Sequence, residues 1–538
     1  MPSPANQSQP AQASIGKSAF LVAAAILLSR ISGLIRESIF GYFFGISAVA
    51  DAFRAALRIP NALQNLFGEG VLSASFIPVY AKLVAQEDRE EAGRVAGAIF
   101  SLLALTMSLL VAAGMLATPW LIDVIAPGFK GETRELTIRL VRIFFPGIGL
   151  LVLSAWCLGI LNSHGKFFLS YVSSVAWNIA QITVLIAFGN RVDLPRLAEY
   201  TAWASVAGNL LQVLMQLPVV LRLAPGIRLA LRSLGENVRV VVRNFVPAFV
   251  SRGVVQMSAT VDTIIASFLP TSAVAALSSA QTIALLPISL FGMSVSVAEL
   301  PAMSRTLGSE DEIAASLRQR IAASTRRIGF FVVPSAVAFF ALGDVVAGAI
   351  YQRGHFTRDN TLYVWGILAG SAVGLVAQTV GRLYASAYWA LRDTRTPLRF
   401  AVVRVILTTA LGYLFALPIP RLAGIDLRYG AIGLSATAGF AAWIEFILLR
   451  GGMNRRIGKV EFPLGYFLRL WTAAGLSAAL AWGIRLLTHT QRPIVTAFLV
   501  LIPYGLAYFG LTTLFGIDQA GALAKRFARV ARRVLPRN

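Results

Sequence analysis

The chain has 538 residues, 57% of them hydrophobic, and its mean hydropathy of +0.70 excludes an ordinary soluble enzyme. Its formal net charge of +23 would suit a nucleic-acid-binding protein, but Lys and Arg also accumulate in the cytoplasmic loops of membrane proteins. The hydropathy favours the second explanation, without a nucleic-acid partner. Cys157 is the only cysteine and the three histidines are scattered, so the sequence predicts neither an internal disulfide nor a metal site.

The first 18 residues are polar or small, and they predict a disordered tail. The apolar run that follows lacks the basic flank of a signal peptide and continues past Arg30, which predicts a retained first helix. Windows of about 20 apolar residues, enough to cross a membrane, recur along the chain and predict an all-α polytopic membrane protein with about fourteen transmembrane helices. The predicted spans are 19–44, 51–81, 95–122, 138–162, 167–189, 199–221, 240–269, 273–303, 326–350, 361–390, 398–418, 430–450, 466–488 and 493–515.

Basic residues collect in alternate loops of this predicted arrangement. The loops are 222–243, 305–327, 392–399 and 450–459, and the C-terminal tail adds Lys525 to Arg537. All of them fall on one side of the membrane, and the positive-inside rule makes that side cytoplasmic, with both termini there. The stretch from Ala520 to Val534 has amphipathic spacing, which suits either a helix lying on the anionic leaflet or a plain solvated helix.

Two stretches of the chain repeat each other at an offset near 225 residues. SAVA occurs at Ser47–Ala50 and at Ser272–Ala275, Phe-Gly follows at an offset of 224, and Pro78 matches Pro301 at 223. This offset covers six predicted helices, so the two halves share one orientation and are expected to enclose a central site. The predicted domains are a disordered tail 1–18, an N-lobe 19–222, a basic cytoplasmic loop 223–239, a C-lobe 240–450, two further helices in 451–516 and a basic cytoplasmic tail 517–538.

Residues 29–80 concentrate charge within apolar sequence. The charged residues of interest are Arg30, Arg36, Glu37, Asp51, Arg54, Arg58 and Glu69. A charge near the bilayer centre costs about 2.5–3.5 kcal/mol, so such residues normally face a bundle interior or a water-filled path. Arg30, Arg36 and Glu37 share one broad helix face, and a cationic face at membrane depth needs an anionic partner. Snorkelling to an interface would explain Arg30 or Arg58 alone, but not the set.

Several short motifs occur in a fixed order. They are Ser29-Arg30, Gly33, Arg36-Glu37, Asp51-Ala52-Phe53, Ile59-Pro60-Asn61, Phe67-Gly68-Glu69-Gly70, Phe76-Ile77-Pro78, the loop Gln352–Thr357 and the segment Ala387–Pro397. This ordered set resembles the MurJ/MviN family over nearly the whole chain. The resemblance implies a lipid II flippase of the MOP exporter superfamily, a transporter rather than an enzyme. It also implies two six-helix lobes, a cationic central cavity and two extra C-terminal helices whose groove is thought to hold the lipid tail.

A protein of this family moves the undecaprenyl-diphosphate-linked peptidoglycan precursor from the inner to the outer leaflet of the bacterial cytoplasmic membrane. The expected partners are therefore that lipid-linked precursor and membrane lipids, with cell-wall synthesis proteins as further candidates, and the chain is expected to act as a monomer. The expected mechanism is alternating access. The alternatives are a flippase for another polyprenyl-diphosphate-linked saccharide, a drug or cation exporter, which an Arg-rich cavity disfavours, and an inactive paralogue that scaffolds cell-wall synthesis.

A diphosphate is a dense anion, and Arg binds such groups through several charge-assisted hydrogen bonds. Arg30 and Arg36 match the family's first-helix arginines, so we expect them to bind the diphosphate, with Glu37 orienting Arg36. Residues that match the second-helix pattern are expected to gate the site or hold the lobes together. These are Asp51, Arg58, Asn61 and Glu69.

The chain departs from the family pattern at two pairs of positions. Gln64 and Asn65 stand where the family has a basic pair, and Gln281 and Thr282 stand where it has Asp-Arg. Two cavity cations are therefore absent. Arg252, in the seventh predicted span, is expected to take their place as a third substrate-binding cation, and Arg382 and Arg404 are weaker candidates.

Asp262 is a second intramembrane acid and the candidate for ion coupling. In some members of the family an acid at this place helps to bind sodium, but here the eleventh predicted span offers only Thr408 and Gly412, so the sodium site looks incomplete. Alternatively, Asp262 could carry a proton. A direct pair with Arg252 is unfavourable because ten residues separate the two by about 15 Å in a straight helix. No resident cofactor is expected, and Na+, H+ or the membrane potential would drive the cycle.

Overall fold

The computed structural model describes residues 10–227, 235–270, 272–296, 299, 303, 309–488, 490 and 492–521. The chain divides into two compact units, Met1–Ile264 and Ile265–Asn538. The described residues of both units are helical and contain no strand.

The first unit is built from long helices joined by short turns. Its helices are α1 (Pro10–Phe44), α2 (Ala48–Phe67), α3 (Glu69–Ala85), α4 (Arg89–Ile125), α5 (Gly131–Ser163), α6 (Phe167–Phe188), α7 (Leu194–Leu223) and α8 (Glu236–Ser267), the last of which crosses the unit boundary. Helix α5 packs against α2, α3, α4 and α7 and is buried along most of its length. Helix α1 begins at Pro10, so it includes residues 10–18 of the segment that the sequence predicts to be disordered. Proline is compatible with the first turn of a helix, and Ala11 and Ala13 have high helix propensity.

The second unit contains the remaining helices. They are α9 (Ala273–Pro287), followed by a π-helical turn (Ile288–Met293), α10 (Glu310–Ala341), α11 (Gly343–Tyr351), α12 (Arg358–Ala390), α13 (Arg395–Ala416), α14 (Pro418–Leu422), α15 (Gly430–Ile457), α16 (Leu464–Leu487) and α17 (Pro493–Leu514). Helix α12 packs against α15 along a row of small residues. A Cβ atom on Gly374 would lie 2.3 Å from Cα of Gly439, so this close approach requires glycine. The hydroxyls of Ser371 and Ser435 form a hydrogen bond of 2.6 Å across the same contact.

Nine helices in the described ranges are long and apolar enough to cross a membrane, and the bent pair α10–α11 raises the number to ten. The predicted all-α polytopic membrane class is confirmed. The predicted count of fourteen spans, the two lobes and the domain boundaries stay predictions. The stretch 522–538, with most of the predicted basic tail, and residues 228–234 of the predicted basic loop lie outside the described residues.

Within the described residues, the spans predicted at 51–81 and 326–350 break or bend sharply. The span predicted at 51–81 breaks at Gly68, where a Cβ atom would lie 2.3 Å from the carbonyl oxygen of Gln64. The span predicted at 326–350 bends by 84° between α10 and α11. Indole N–H groups of Trp365 and Trp482 donate to the carbonyl oxygens of Phe340 and Ala341 at that bend, which satisfies backbone acceptors that the helix no longer uses.

The internal repeat coincides with matching structural features. Ser47 is the N-cap of α2, and Ser272 occupies the same position before α9. The Phe-Gly of the first copy lies at the break between α2 and α3, and the Phe-Gly of the second lies in the π-helical turn that follows α9. Each copy therefore starts a helix at its SAVA motif and interrupts it at Phe-Gly. The last match of the repeat, Pro301, lies outside the described residues.

Candidate functional site

The candidate site of the first unit is a carboxylate shared by two guanidinium groups. Arg54 of α2 donates to Glu37 of α1 through both terminal nitrogens, with an Nη1–Oε1 distance of 3.2 Å, and Arg36 donates to Oε1 of the same carboxylate. The side chains of Glu37, Arg54 and Arg36 are only 6%, 12% and 15% exposed. The three groups together carry a formal charge of +1.

Aromatic rings hold the two guanidinium groups. Arg36 lies over the ring of Trp177 at 4.3 Å from its centroid, and Arg54 lies over Phe40 at 4.2 Å. Both geometries are cation–π contacts, which are stronger in a desolvated site. Each guanidinium therefore has one flat face fixed against a ring and one edge fixed against Glu37.

Local sequence explains why α1 and α2 bring these groups together. Gly45, with φ of 56°, turns the chain after α1, and the Ser47 hydroxyl caps α2 by accepting from the N–H of Ala50 at 3.2 Å. Phe53 of α2 then packs against Phe40 at a ring-centroid distance of 5.0 Å. This packing places Arg54, the next residue, beside Glu37.

Polar contacts join α1 to α6 next to this cluster. The hydroxyls of Ser29 and Ser174 lie 2.8 Å apart, and the amide of Asn178 donates to Ser32 at 2.9 Å. They fix the register of α6, and with it the ring of Trp177. The position of Arg36 is therefore determined by residues on three helices.

The predicted site residues of the first helix have different surroundings in the structure. Arg36 donates to Glu37, whereas Arg30 is exposed and forms no ion pair with any described residue. The sequence interpretation did not assign a role to Arg54, the second partner of Glu37. Its signal was available, because Arg54 lies four residues before Arg58 and three after Asp51 on one face of α2.

The second-helix candidates occupy different environments. Asp51 is buried in the first turn of α2, Arg58 is half-buried one turn after Arg54, and Asn61 is exposed. Glu69 is the first residue of α3, directly after the break, and its side chain lies outside the described part of the chain.

Helix α8 carries two of the predicted site residues, Arg252 and Asp262. The backbone of Arg252 is helical, but its side chain is outside the described residues. Asp262 is half-buried and interacts electrostatically with Arg58 of α2. Asp262 and Glu37 are 225 residues apart, the offset of the internal repeat, so each repeat carries an acid at the same position and each acid interacts with an arginine of α2.

Comparison with known proteins decides the family. The sequence model described as "Lipid II flippase MurJ" matches residues 40–505. The chain belongs to the MurJ family. This confirms the predicted family and, because MurJ proteins are flippases, the prediction of a transporter rather than an enzyme.

Curated relatives and solved structures agree with this assignment. A "Probable lipid II flippase MurJ" of Rhizobium tropici is 30% identical and covers 96% of the chain and 97% of its own length. The "Lipid II flippase MurJ" of Burkholderia cenocepacia is 30% identical over 92% of the chain and 96% of its own length.

The structural matches concern the fold. A solved "Lipid II flippase MurJ, inward closed conformation" superposes with a TM-score of 0.77 at 23% identity, over 93% of this chain and 99% of that one. A MATE transporter of the MOP superfamily in an inward-facing conformation gives 0.62 at 18% identity, over 79% of this chain and 95% of that one. The fold is therefore shared between MurJ and MATE proteins.

Two of the positions that depart from the MurJ pattern, Asn65 and Thr282, form neutral hydrogen bonds. The amide of Asn65 donates to Gln256 at 2.8 Å, so an uncharged α2–α8 contact stands where the pattern has a basic residue. The hydroxyl of Thr282 donates to the carbonyl oxygen of Ser278 within α9.

The two residues that the sequence analysis considered for a sodium site, Thr408 and Gly412, lie on α13. Thr408 is buried, and a Cβ atom on Gly412 would lie 2.7 Å from Leu434, so this position has no space for a longer side chain. Among the described residues, no group of three or more His, Cys, Asp or Glu side chains is placed to hold a metal ion.

The two weaker cation candidates form a cluster of their own in the second unit. Arg404 of α13 donates to Glu445 of α15 at 3.0 Å, and Arg382 of α12 interacts electrostatically with both. This is again one acid with two arginines, but Arg404 is 37% exposed and Arg382 is exposed.

Proposed function

We propose that this protein is a lipid II flippase, which moves the diphosphate-linked peptidoglycan precursor from the inner to the outer leaflet by alternating access. The observation that carries the proposal is the buried cluster of Glu37, Arg36 and Arg54, with its net positive charge. The membership of the chain in the MurJ family supports the substrate class.

The cluster suits a diphosphate in both the empty and the loaded state. Without substrate, Glu37 offsets the repulsion between the guanidinium groups of Arg36 and Arg54. With substrate, the two guanidinium groups bind phosphate oxygens in exchange for part of their contact with Glu37, while Trp177 and Phe40 keep the two planes in place. The protein thereby replaces the water of the head group with fixed donors, and the lipid tail stays in the bilayer.

Arg30 and Arg252 are further ligands in this proposal. Arg30 is exposed, so it is available to a ligand that enters from solvent. Arg252 would supply the third cation. Asp51, Arg58, Asn61 and Glu69 would act on the opening and closing of the site rather than on the phosphates.

Ion coupling would act through Asp262. Its interaction with Arg58 links a titratable acid of α8 to α2, the helix that carries Arg54. Protonation of Asp262, or sodium binding to it, would weaken its hold on Arg58 and change the balance of charge along α2. If flipping by Asp262→Asn has the same dependence on pH and sodium as flipping by the wild type, Asp262 has no part in coupling.

The predicted orientation and assembly state belong to the same proposal. Both termini lie in the cytoplasm, the monomer is the working unit, and cell-wall synthesis proteins are candidate partners. A reporter that is active only in the cytoplasm, fused to the C-terminus, tests the orientation. Its activity is expected if the C-terminus is cytoplasmic.

The decisive experiment is rescue of a bacterium that is depleted of its own lipid II flippase, with outer-leaflet lipid II measured alongside growth. Wild-type protein and Arg94→Ala are expected to rescue, because Arg94 lies on α4 in a half-exposed pair with Glu90 and Glu91. Arg36→Ala is expected to fail at equal expression. Rescue by Arg36→Ala, or lipid II binding by purified Arg36→Ala at wild-type strength, would refute the proposed role of the cluster.

A further inference from the structure

A polar cavity of about 560 Å³ lies in the second unit, at the ends of α11, α12, α16 and α17. Arg485 of α16 and Asp344 of α11 line it and form a two-bonded ion pair, with an Nη1–Oδ1 distance of 2.9 Å. The side chain of Asp344 is only 4% exposed and that of Arg485 is 19% exposed. Gln352, Thr488 and Thr496 add neutral donors and acceptors to the wall.

The fold builds this cavity at the 84° bend between α10 and α11. The bend directs α11 toward the start of α17, since a Cβ atom on Gly348 would lie 3.8 Å from Cβ of Pro493. Small apolar residues close the packing beneath it, among them Ala481 and Ala497. The indole of Trp482 donates to the bend, and the guanidinium of Arg485 lies 5.1 Å from the centroid of that indole.

The surroundings place the cavity at the level of lipid head groups. Helix α16 ends at Leu487 and α17 begins at Pro493, so the cavity lies where two membrane-spanning helices leave the bilayer. The neighbouring side chains Leu487 and Phe498 are 81% and 62% exposed, as expected for residues that contact acyl chains. A tryptophan and an arginine at the same level are typical of the membrane interface.

The charges of the cavity select an anion. Arg358, at the start of α12, lines the cavity, is exposed and makes no ion pair with any described residue. Arg485 and Asp344 neutralise each other, so Arg358 leaves a net charge of +1. Asp344 is already satisfied by Arg485, and no second carboxylate lines the cavity among the described residues, so an ammonium head group would find no partner.

We propose that this cavity binds the phosphate of an anionic, hydroxyl-bearing phospholipid such as phosphatidylglycerol. Arg358 and the remaining N–H groups of Arg485 would hold the phosphate, and Gln352, Thr488 and Thr496 would bind the glycerol hydroxyls. The acyl chains would lie against the exposed apolar surface of α16 and α17. This lipid site is separate from the cluster around Glu37 and does not depend on the proposed substrate.

The test is lipid retention by the purified full-length protein, measured by native mass spectrometry with added phosphatidylglycerol, phosphatidylethanolamine or water-soluble glycerol phosphate. Arg358→Gln removes the unpaired cation, and Arg421→Gln is its matched control. Arg421 is an exposed arginine of α14, at the end of α13 opposite to the α12–α13 turn, and it does not line the cavity. Equal melting temperatures of the two variants in detergent would show that both are folded.

Wild type and Arg421→Gln are expected to retain one phosphatidylglycerol with equal affinity, and Arg358→Gln is expected to bind it about tenfold more weakly, the effect of losing one charge-assisted contact. Phosphatidylethanolamine should bind more weakly than phosphatidylglycerol. Equal retention by Arg358→Gln and Arg421→Gln, or equal binding of the two lipids, would overturn the site. Glycerol phosphate binding as strongly as the lipid would overturn the assignment to a membrane lipid. None of these outcomes depends on flipping.

Discussion

Each compact unit of the protein contains an intramembrane acid shared by two arginines. In the first unit the acid is Glu37, which is 6% exposed, and Arg54 beside it is 12% exposed. In the second unit the acid is Glu445, which is 16% exposed, and Arg404 beside it is 37% exposed. The two clusters have the same charged groups, but solvent reaches the second much more easily.

This difference in exposure shows that two clusters of the same charged groups can differ in the strength of their ion pairs. Around Glu37, the guanidinium groups are fixed by aromatic rings and desolvated, so each hydrogen bond is strong and a lost partner is costly. Around Glu445, no ring contact is found for Arg404 within the described part of the chain, and solvent screens the pair. The first cluster is thus suited to hold a head group in one geometry.

The largest effect expected from this comparison concerns the two acids. Glu37→Gln leaves two buried arginines with one neutral partner, and we expect it to lower the free energy of unfolding by about 3–5 kcal/mol. Glu445→Gln, its matched control, should cost less than about 1 kcal/mol because its partners are partly solvated. Denaturant titration of both variants in the same detergent, followed by tryptophan fluorescence, measures the two costs. Similar costs would mean that the difference in burial has no energetic consequence.

The sequence predicts the class of fold and names two of the three residues of the cluster around Glu37, and the reason is physical. Charged residues within apolar sequence are a local signal, so Arg36 and Glu37 were recognised from α1 alone. The role of Arg54 was missed because it depends on the packing of Phe53 against Phe40, which brings a second helix to Glu37.

Features that arise from distant parts of the chain could not be read from hydropathy. The break at Gly68 lies inside the span predicted at 51–81, and the 84° bend before α11 has no proline at its turn. The pair of Asp344 and Arg485 joins residues 141 positions apart. Only the packed helices show that these two charges meet.

The second prediction asks whether the contact of both Arg54 nitrogens with Glu37 matters for substrate binding, and it rests on the proposed function. Arg54→Lys keeps the charge but loses the planar two-nitrogen geometry with which Arg54 holds Glu37, so we expect lipid II to bind the purified protein about tenfold more weakly. Arg404→Lys keeps its single contact with Glu445 and should change binding less than twofold, on the order of the effect of an exposed pair. An equal loss in both variants would place the second cluster in the binding site too.

A smaller effect isolates the aromatic support, which distinguishes the first cluster from the second. Trp177→Leu removes the ring beneath Arg36 and should cost about 1–2 kcal/mol of stability, the range of a desolvated cation–π contact with some lost packing. Trp120→Leu is the control, because Trp120 is 67% exposed on α4. Thermal unfolding of the two variants at equal detergent concentration gives the comparison. A Trp177→Leu melting temperature equal to that of the control would exclude the ring as a support.

The smallest effect concerns an acid outside the membrane-spanning helices, which pairs with an arginine that is 46% exposed. Asp393, in the turn between α12 and α13, accepts hydrogen bonds from the N–H of Thr396 at 3.0 Å and from its hydroxyl at 2.8 Å, and it pairs with Arg456 at 2.6 Å. The backbone hydrogen bond from Thr396 is the largest of the effects that lower the pKa of Asp393 to about 2.

Because this pKa lies below that of an unfolded Asp, near 3.9, the stabilisation by ionised Asp393 is fully present above about pH 4 and is lost as the pH falls toward 2. We therefore expect Asp393→Asn to lower the melting temperature slightly at pH 7 and to lessen the loss of stability between pH 4 and pH 2. Thermal unfolding of wild type and variant across this range measures the difference. Parallel pH profiles would show that Asp393 is ionised to the same extent in the folded and unfolded chains, and that its contacts add nothing that depends on charge.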